Sequence, residues 1–429
     1  MTARSKTSAP ATEITLRVAN ALAEIERAVW EACANPPAAA IDPHDSALGG
    51  DLQPLCQQGA GVPIGVAEPA SESEYNPFIS HDFLSALERS GSVRNRTGWQ
   101  PMHLIAQAAD GEVLGVAPCY AKSHSQGEYV FDHGWAEAYE RAGGSYYPKL
   151  QVSVPFTPAT GRRLLVRPGP RAEAVRGALA DGLAAICRRA NASSVHVTFP
   201  TEPEWRMLGS HGYLLRTHRQ FHWENAGYES FDTFLAALAS RKRKTIRRER
   251  ADALAPGISI HWLSGSDLTE AVWDAFFEFY METGSRKWGH PYLTRSFYSM
   301  VGESMREHIV LVMAKRNGRW IAGAINFIGS RTLFGRHWGA VEHHPFLHFE
   351  VCYYQAIQYA IAHKLARVEA GAQGQHKIAR GYLPTTTYSA HYIVDPALRR
   401  AVANFLEHER AFVAEEIEEF AEAAPFRKE

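Results

Sequence analysis

The sequence predicts a mixed α/β protein in which one domain plan is written twice. Three echoes carry that expectation. Gly212-Tyr213-Leu214 is followed, ten residues after its glycine, by His222-Trp223, and Gly381-Tyr382-Leu383 is followed at the same distance by His391-Tyr392. His103-Leu104-Ile105-Ala106, Asp110-Gly111 and Val113-Leu114-Gly115-Val116-Ala117 are matched by Val310-Leu311-Val312-Met313, Asn317-Gly318 and Trp320-Ile321-Ala322-Gly323-Ala324. Each set reads as an apolar strand, a turn on Asn/Asp-Gly and a second apolar strand. An aromatic strand then holds His133-Gly134-Trp135 in one copy and His337-Trp338-Gly339 in the other. Three echoes in the same order point to a duplicated domain.

The elements follow in order. Residues 13–20 read as a strand and 21–34 as an amphipathic helix. Residues 35–74 are rich in Pro, Gly, Ala and Ser and hold few large apolar residues, so they read as a flexible insertion. Ser80 is the expected N-cap of a helix over 82–90. Strands are expected near 102–109, 112–121, 128–135 and 146–156, a helix over 171–191, a strand over 195–199, a helix over 202–211 and a strand over 213–224. The second copy opens with one long helix from Phe231 to about Ala255, then a strand at 258–263 and helices near 269–282 and 294–306. Strands at 308–315, 319–328 and 331–341, a helix over 349–364, a strand over 366–372, a short helix over 376–381 and a strand over 387–394 complete it. An acidic helix over 399–424 closes the chain.

The totals bound the function. The chain has 429 residues, enough for two or three domains, and is 45% hydrophobic and 21% charged, an ordinary globular mixture. A formal net charge of -1 excludes a generic polyanion binder, so affinity for phosphate must come from local clusters. Five scattered cysteines without a Cys-x-x-Cys pair argue against a disulfide framework and for a reducing, cytoplasmic setting. No signal peptide or membrane span is expected.

The repeated order of strand, helices, antiparallel strands, helix, strand, helix, strand matches the GCN5-related N-acetyltransferase (GNAT) superfamily, and two such domains resemble the Fem-type peptidyl transferases. The wording of residues 76–92, 122–135, 240–250 (S-R-K-R-K-T-I-R-R-E-R) and 369–384 (E-A-G-A-Q-G-Q-H-K-I-A-R-G-Y-L-P) resembles the FemAB-like predicted N-acyltransferases of bacteria. The resemblance implies two tandem GNAT-like domains with a C-terminal helix. Their expected bounds are 1–34 with 75–225, then 226–396, followed by 397–429. It implies transfer of an acyl or aminoacyl group to an acceptor amine that is a small molecule or peptide-like, with aminoacyl-tRNA or acyl-CoA as co-substrate and no resident cofactor. The chain is expected to act as a monomer or dimer.

Acyl transfer to an amine needs a base and oxyanion donors. Glu369 or His376 is a candidate base and Lys377 a candidate donor; the alternative is that Glu369 is a structural carboxylate paired with Arg380 or Lys377. Arg241, Lys242, Lys244, Arg247 and Arg248 form a one-signed helix expected to hold phosphate, with a solvated surface as the alternative. His133, Trp135 and Lys149 in the first copy, and Arg336, His337, His348, Glu350, Gln373, Arg380 and Tyr382 in the second, are expected to bind substrate. His133 and Trp135 are read as sharing a strand face.

The Gly-rich turn that seats coenzyme A pyrophosphate in the superfamily is missing. Its place holds Glu342-His343-His344-Pro345-Phe346 in the second copy, and in the first Thr157-Pro158-Ala159-Thr160-Gly161-Arg162-Arg163, a weak phosphate-loop candidate. An ordinary acyl-CoA enzyme with a degenerate loop and a non-catalytic muropeptide- or RNA-binding module therefore stand as alternatives. No metal is expected, because Pro345 separates His344 from His348.

Overall fold

The structure, a computed structural model, describes residues 13–37, 74–288, 291–371 and 374–427. The expected insertion thus falls almost wholly outside the described residues. The first half supplies strands β1 (Thr15–Ala19), β2 (Trp99–Pro101), β3 (His103–Gln107), β4 (Val113–Ala117), β5 (Cys119–Lys122), β6 (Lys149–Val152), β7 (Leu165–Val166), β8 (Ser194–Thr198) and β9 (Leu214–Glu224). The second supplies β10 (Ile258–Leu263), β11 (Ile309–Arg316), β12 (Arg319–Ile328), β13 (Thr332–Ala340), β14 (Arg367–Glu369) and β15 (Leu383–Ile393). Helices α1 (Arg27–Ala34), α2 (His81–Arg89), α3 (His133–Arg141), α4 (Ala172–Arg189), α5 (Glu202–Ser210) and α6 (Phe231–Ala237) are followed by α7 (Ser240–Leu254), α8 (Glu270–Trp288), α9 (Arg295–Ser304), α10 (Leu347–Phe349), α11 (Gln355–Ala362) and α12 (Pro396–Glu422).

Two sheets result. A small one runs β1-β3-β4-β7, and a large one runs β10-β11-β12-β13-β14-β9-β15-β8-β6-β5-β2. The expected strand over 112–121 is divided between them, because Pro118 cannot donate to a ladder and the chain turns there from β4 to β5. In the large sheet the halves exchange their last strands. β9, from the first half, lies beside β14, while β15, from the second, lies beside β8. The two pair with each other antiparallel, Leu214 opposite His391, His218 opposite Thr387 and His222 opposite Leu383. The repeated Gly-Tyr-Leu…His wording is thus a local dyad centred near His218 and Thr387. A shared aromatic core adds to the union: Phe78 packs on Phe327 and Phe334 at ring distances of 5.2 and 5.1 Å, and Phe83 on Phe297 at 5.7 Å.

Local chemistry explains most elements. Ser80 accepts from the Phe83 amide and caps α2 as expected. Asn317 and Gly318, at φ 49° and 76°, make a two-residue turn between β11 and β12 of the kind that needs two left-handed residues. The matching Asp110-Gly111 closes a longer loop in which only Gly111, at φ 89°, is left-handed. Gly339 permits a close approach: a Cβ there would lie 1.9 Å from the Phe279 carbonyl oxygen of α8.

Three expectations fail. Residues 128–135 are not a strand but a loop leading into α3, whose run Ala-Glu-Ala-Tyr-Glu-Arg favours helix. The long helix from Phe231 breaks into α6 and α7. Leu238 is extended, bridges to Phe426, and the Ala239 amide donates to Pro425, so a tertiary pairing overrides helix propensity. The strand expected over 366–372 stops at Glu369, and Gly371 turns left-handed at φ 77°.

Candidate functional site

Parallel strands β13 and β14 pair only from Thr332 to Phe334 and from Arg367 to Glu369, after which they part. Glu369 is the last residue before the parting. It is 4% exposed, and its Oε2 has no hydrogen-bond partner among the described residues. Burial pushes its carboxyl up to about 7, against the pull of Arg367 and a hydrogen bond from the Thr160 backbone. The structural pairings considered from sequence are not made. Arg380 binds Glu249 through Nη2 at 2.9 Å to each oxygen, and Lys377 donates to the carbonyls of Ala370 and Gly371 at 2.6 and 2.8 Å. Glu224 takes Arg367 at 2.5 Å. Lys377 is itself buried, which pulls its amine down to about 7.

The short helix Gln375–Arg380 links this strand end to a second feature. His376 is exposed and meets the Tyr353 hydroxyl at 2.9 Å. Arg380 lies 3.5 Å over the Phe349 ring and, with Glu249, faces a cleft of about 290 Å³. Arg241, Lys242, Thr245, Ile246 and Tyr354 complete its lining. Lys242, which interrupts the apolar stripe, is half-buried because it turns into this cleft. Lys244 is exposed, and Arg247 and Arg248 reach outward to Asp232 at 3.1 Å and Asp252 at 3.4 Å. Of the five basic residues expected to hold phosphate, only Arg241 and Lys242, in the first turn of α7, border the cleft. Sequence reasoning missed Glu249 and Tyr354, which hold Arg380 in place; the signal was a single acid inside a basic run.

Other expected binding residues have partners within the fold. Glu350 is fully buried, held by Arg250 at 2.9 and 3.0 Å and by Gln355 at 2.7 Å. Tyr382 is fully buried, its hydroxyl 3.4 Å from the Tyr353 carbonyl. His348 packs among the rings of Trp338, Phe349, Tyr353 and His376. His337 lies 5.0 Å from the Tyr280 ring, and burial beside Arg336 pulls its imidazole down to about 3. Gln373 lies outside the described residues.

In the first-half patch the structure spends Trp135 and Lys149 on internal contacts. His133 and Trp135 stand on a helix, one exposed and the other buried, so they share no strand face. Trp135 packs edge-on to His391 at 4.9 Å and under Arg216. Lys149 is fully buried and bonded to Ser125 and Glu128, at 2.7 Å each, and to Asp132. Burial opposes its charge, but Glu128 and Asp132 hold it above the usual lysine range. The candidate phosphate turn is spent internally as well. Arg163 donates to the carbonyls of Thr198, Gly161, Arg162 and Ala159, and Arg162 to those of Cys33 and Ala34.

Among the described residues no helix is long and apolar enough to cross a membrane. Solved structures similar to the chain include FemX (12% identity, 74% of this chain and 93% of that one, TM-score 0.46). A tandem GNAT protein from the clavulanic acid biosynthesis pathway is also similar (12%, 90% and 99%, 0.41), as is L-PGS from Bacillus licheniformis (10%, 78% and 98%, 0.46). No curated protein matches by sequence. Residues 65–428 match the FemAB-like family, described as peptidoglycan biosynthesis/recognition. The chain therefore belongs to the FemAB-like family.

Proposed function

We propose that the chain is an N-acyltransferase whose chemistry centres on Glu369. The observation that carries this is a buried carboxylate with an unpartnered oxygen, placed where two parallel strands part. Such a group, with its pKa near the working pH, suits a general base. The acceptor's ammonium gives its proton to Glu369. The freed amine attacks the acyl carbon, an N–C bond forms, and the C–O or C–S bond to the donor's carrier breaks. The nitrogen gives its second proton to the departing carrier, and Glu369 then returns the first to solvent. Lys377, buried one turn from Arg380, is the candidate donor to the oxyanion, while His376, tied to Tyr353, positions the short helix.

The cleft of Arg241, Lys242 and Arg380 is read as the seat of the donor's phosphate, with the acyl end extended along residues 376–380 towards Glu369. A carrier tRNA and a coenzyme A thioester both present phosphate there. The test is transfer to a mixture of amines, with either an aminoacyl-tRNA or an acyl-CoA pool as donor and the amide product read by mass spectrometry. New amide with one donor class and not the other identifies the carrier. Amide formation that survives Glu369→Gln at the unsubstituted rate removes Glu369 from the chemistry.

A further inference from the structure

Arg336 carries a charge that the transfer step does not use. It stands at a β-bulge, where Arg336 and His337 on β13 together oppose the single Ile325 of β12. A bulge re-aims side chains out of the regular alternation. Arg336 is half-buried, donates to the Phe156 carbonyl, and lies 5.9 Å from the centre of the Phe78 ring. Among the described residues no ion pair ties it to a carboxylate. The free oxygen of Glu369 is the complementary orphan. Glu369 lies opposite Phe334, two residues before Arg336 on β13, and a Cβ at the intervening Gly335 would lie 3.5 Å from the Glu369 carbonyl oxygen. A half-buried cation and a buried carboxylate beside one strand parting, with no ion pair between them among the described residues, each retain part of their desolvation cost. A ligand with both opposite charges a few bonds apart would relieve both costs at once.

We infer that the acceptor is an amino-acid-like zwitterion, with its ammonium on Glu369 and its carboxylate on Arg336. This rests on the reading of Glu369 as the acceptor's base. The bidentate fork of arginine matches a carboxylate, and the orphaned Oε2 supplies the acceptor atom for an N–H of the ammonium. The space beside Arg336 is about 10 Å³, room for one water, and Glu369 is not in its lining, so a ligand that spans both groups requires it to open towards β14. Such opening would separate Phe156 from Tyr292, whose rings stack 4.7 Å apart and 8° from parallel across the two halves.

Calorimetry on the full chain tests this with alanine, alaninamide and N-acetylalanine as probes, at a pH where Glu369 is ionised. Alanine is expected to bind about tenfold or more tightly than either analogue, because each analogue leaves one buried charge unpaired. Arg336→Met should bind alanine and alaninamide alike, and Arg336→Lys should keep part of the preference. Equal affinities for alanine and alaninamide in the unsubstituted protein, or no binding of alanine, overturn the inference. Transfer separates its failure from that of the transferase reading. A plain alkylamine acylated as fast as an amino acid sinks the zwitterion alone, whereas selective alanine binding without transfer sinks the transferase alone.

Discussion

The two sides of the central dyad place different chemistry at matching positions. On one side His196 of β8 lies opposite His391 of β15; on the other Glu369 of β14 lies opposite His222 of β9. The first pair is satisfied. His196 meets His391 at 2.6 Å through its Nδ1, and Ser194 at 2.7 Å and Tyr146 at 3.3 Å through its Nε2. Tyr146 continues to Asp132 and so to Lys149. The second pair leaves Oε2 of Glu369 and Nδ1 of His222 buried without partners. The strand partings differ in the same sense. Beyond β8 the loop over 157–163 folds back, with Gly161 bonded to Phe199 and Arg163 to Thr198. Beyond β14, Lys377 bonds the last carbonyls while Glu369 keeps an open valence. On the proposed function the unsealed side is the working site, because a buried polar atom without a partner is a cost that a ligand can remove.

The largest effect should come from Glu369→Gln. Loss of a general base lowers kcat by about 10²–10⁴-fold, and the melting temperature should hold or rise because a buried charge is removed. His196→Ala is the converse: a lower melting temperature with kcat nearly intact. If the two variants exchange these phenotypes, the working half has been misassigned. Lys149→Met comes next. It strands Glu128 and Asp132 in the interior, and leaving a buried charge unpaired costs about 3–5 kcal/mol. Denaturant titration that finds no loss would show that the network is not a structural tie.

The pH dependence separates the halves. Burial, with Lys149 nearby, pulls His196 down from 6.5 to about 3. The unfolded chain therefore takes up a proton below 6.5 that the folded chain refuses, so this group's contribution to stability is complete above 6.5 and shrinks as pH falls towards 3. The slope for one such group approaches about 1.4 kcal/mol per pH unit. Glu369 works in the opposite direction, on rate. Raised to about 7, it is protonated below that pH, so kcat/KM should rise with pH through 7 and lose that limb in Glu369→Gln. His337 and His218 are pulled down to about 3 as well, so an acid limb whose slope between 6.5 and 3 is shallower in His196→Leu than in the parent by about one proton assigns the effect. The smallest expected change is at the cleft. Lys242→Ala should weaken the donor and lower the slope of log affinity against log salt by about 1, whereas Lys244→Ala, on the outer face, should do little to either.

Much of this was legible before any tertiary contact was known. The Ser80 cap, the Asn317-Gly318 turn and the apolar strands are local or periodic signals, and short-range sterics and hydrogen bonding decide them. The Gly-Tyr-Leu…His echo was visible as repetition, and Glu369, Lys377, Arg380 and Lys242 stood out as charges in unusual places. Sequence could not show that the two echoing strands cross over to the opposite half, since strand neighbours are chosen by long-range pairing. Nor could it distinguish Lys149, consumed by Glu128 and Asp132, from a lysine waiting for substrate. Whether a charged group is spent or free depends on which distant atoms reach it in the folded state, and only the assembled sheet decided that.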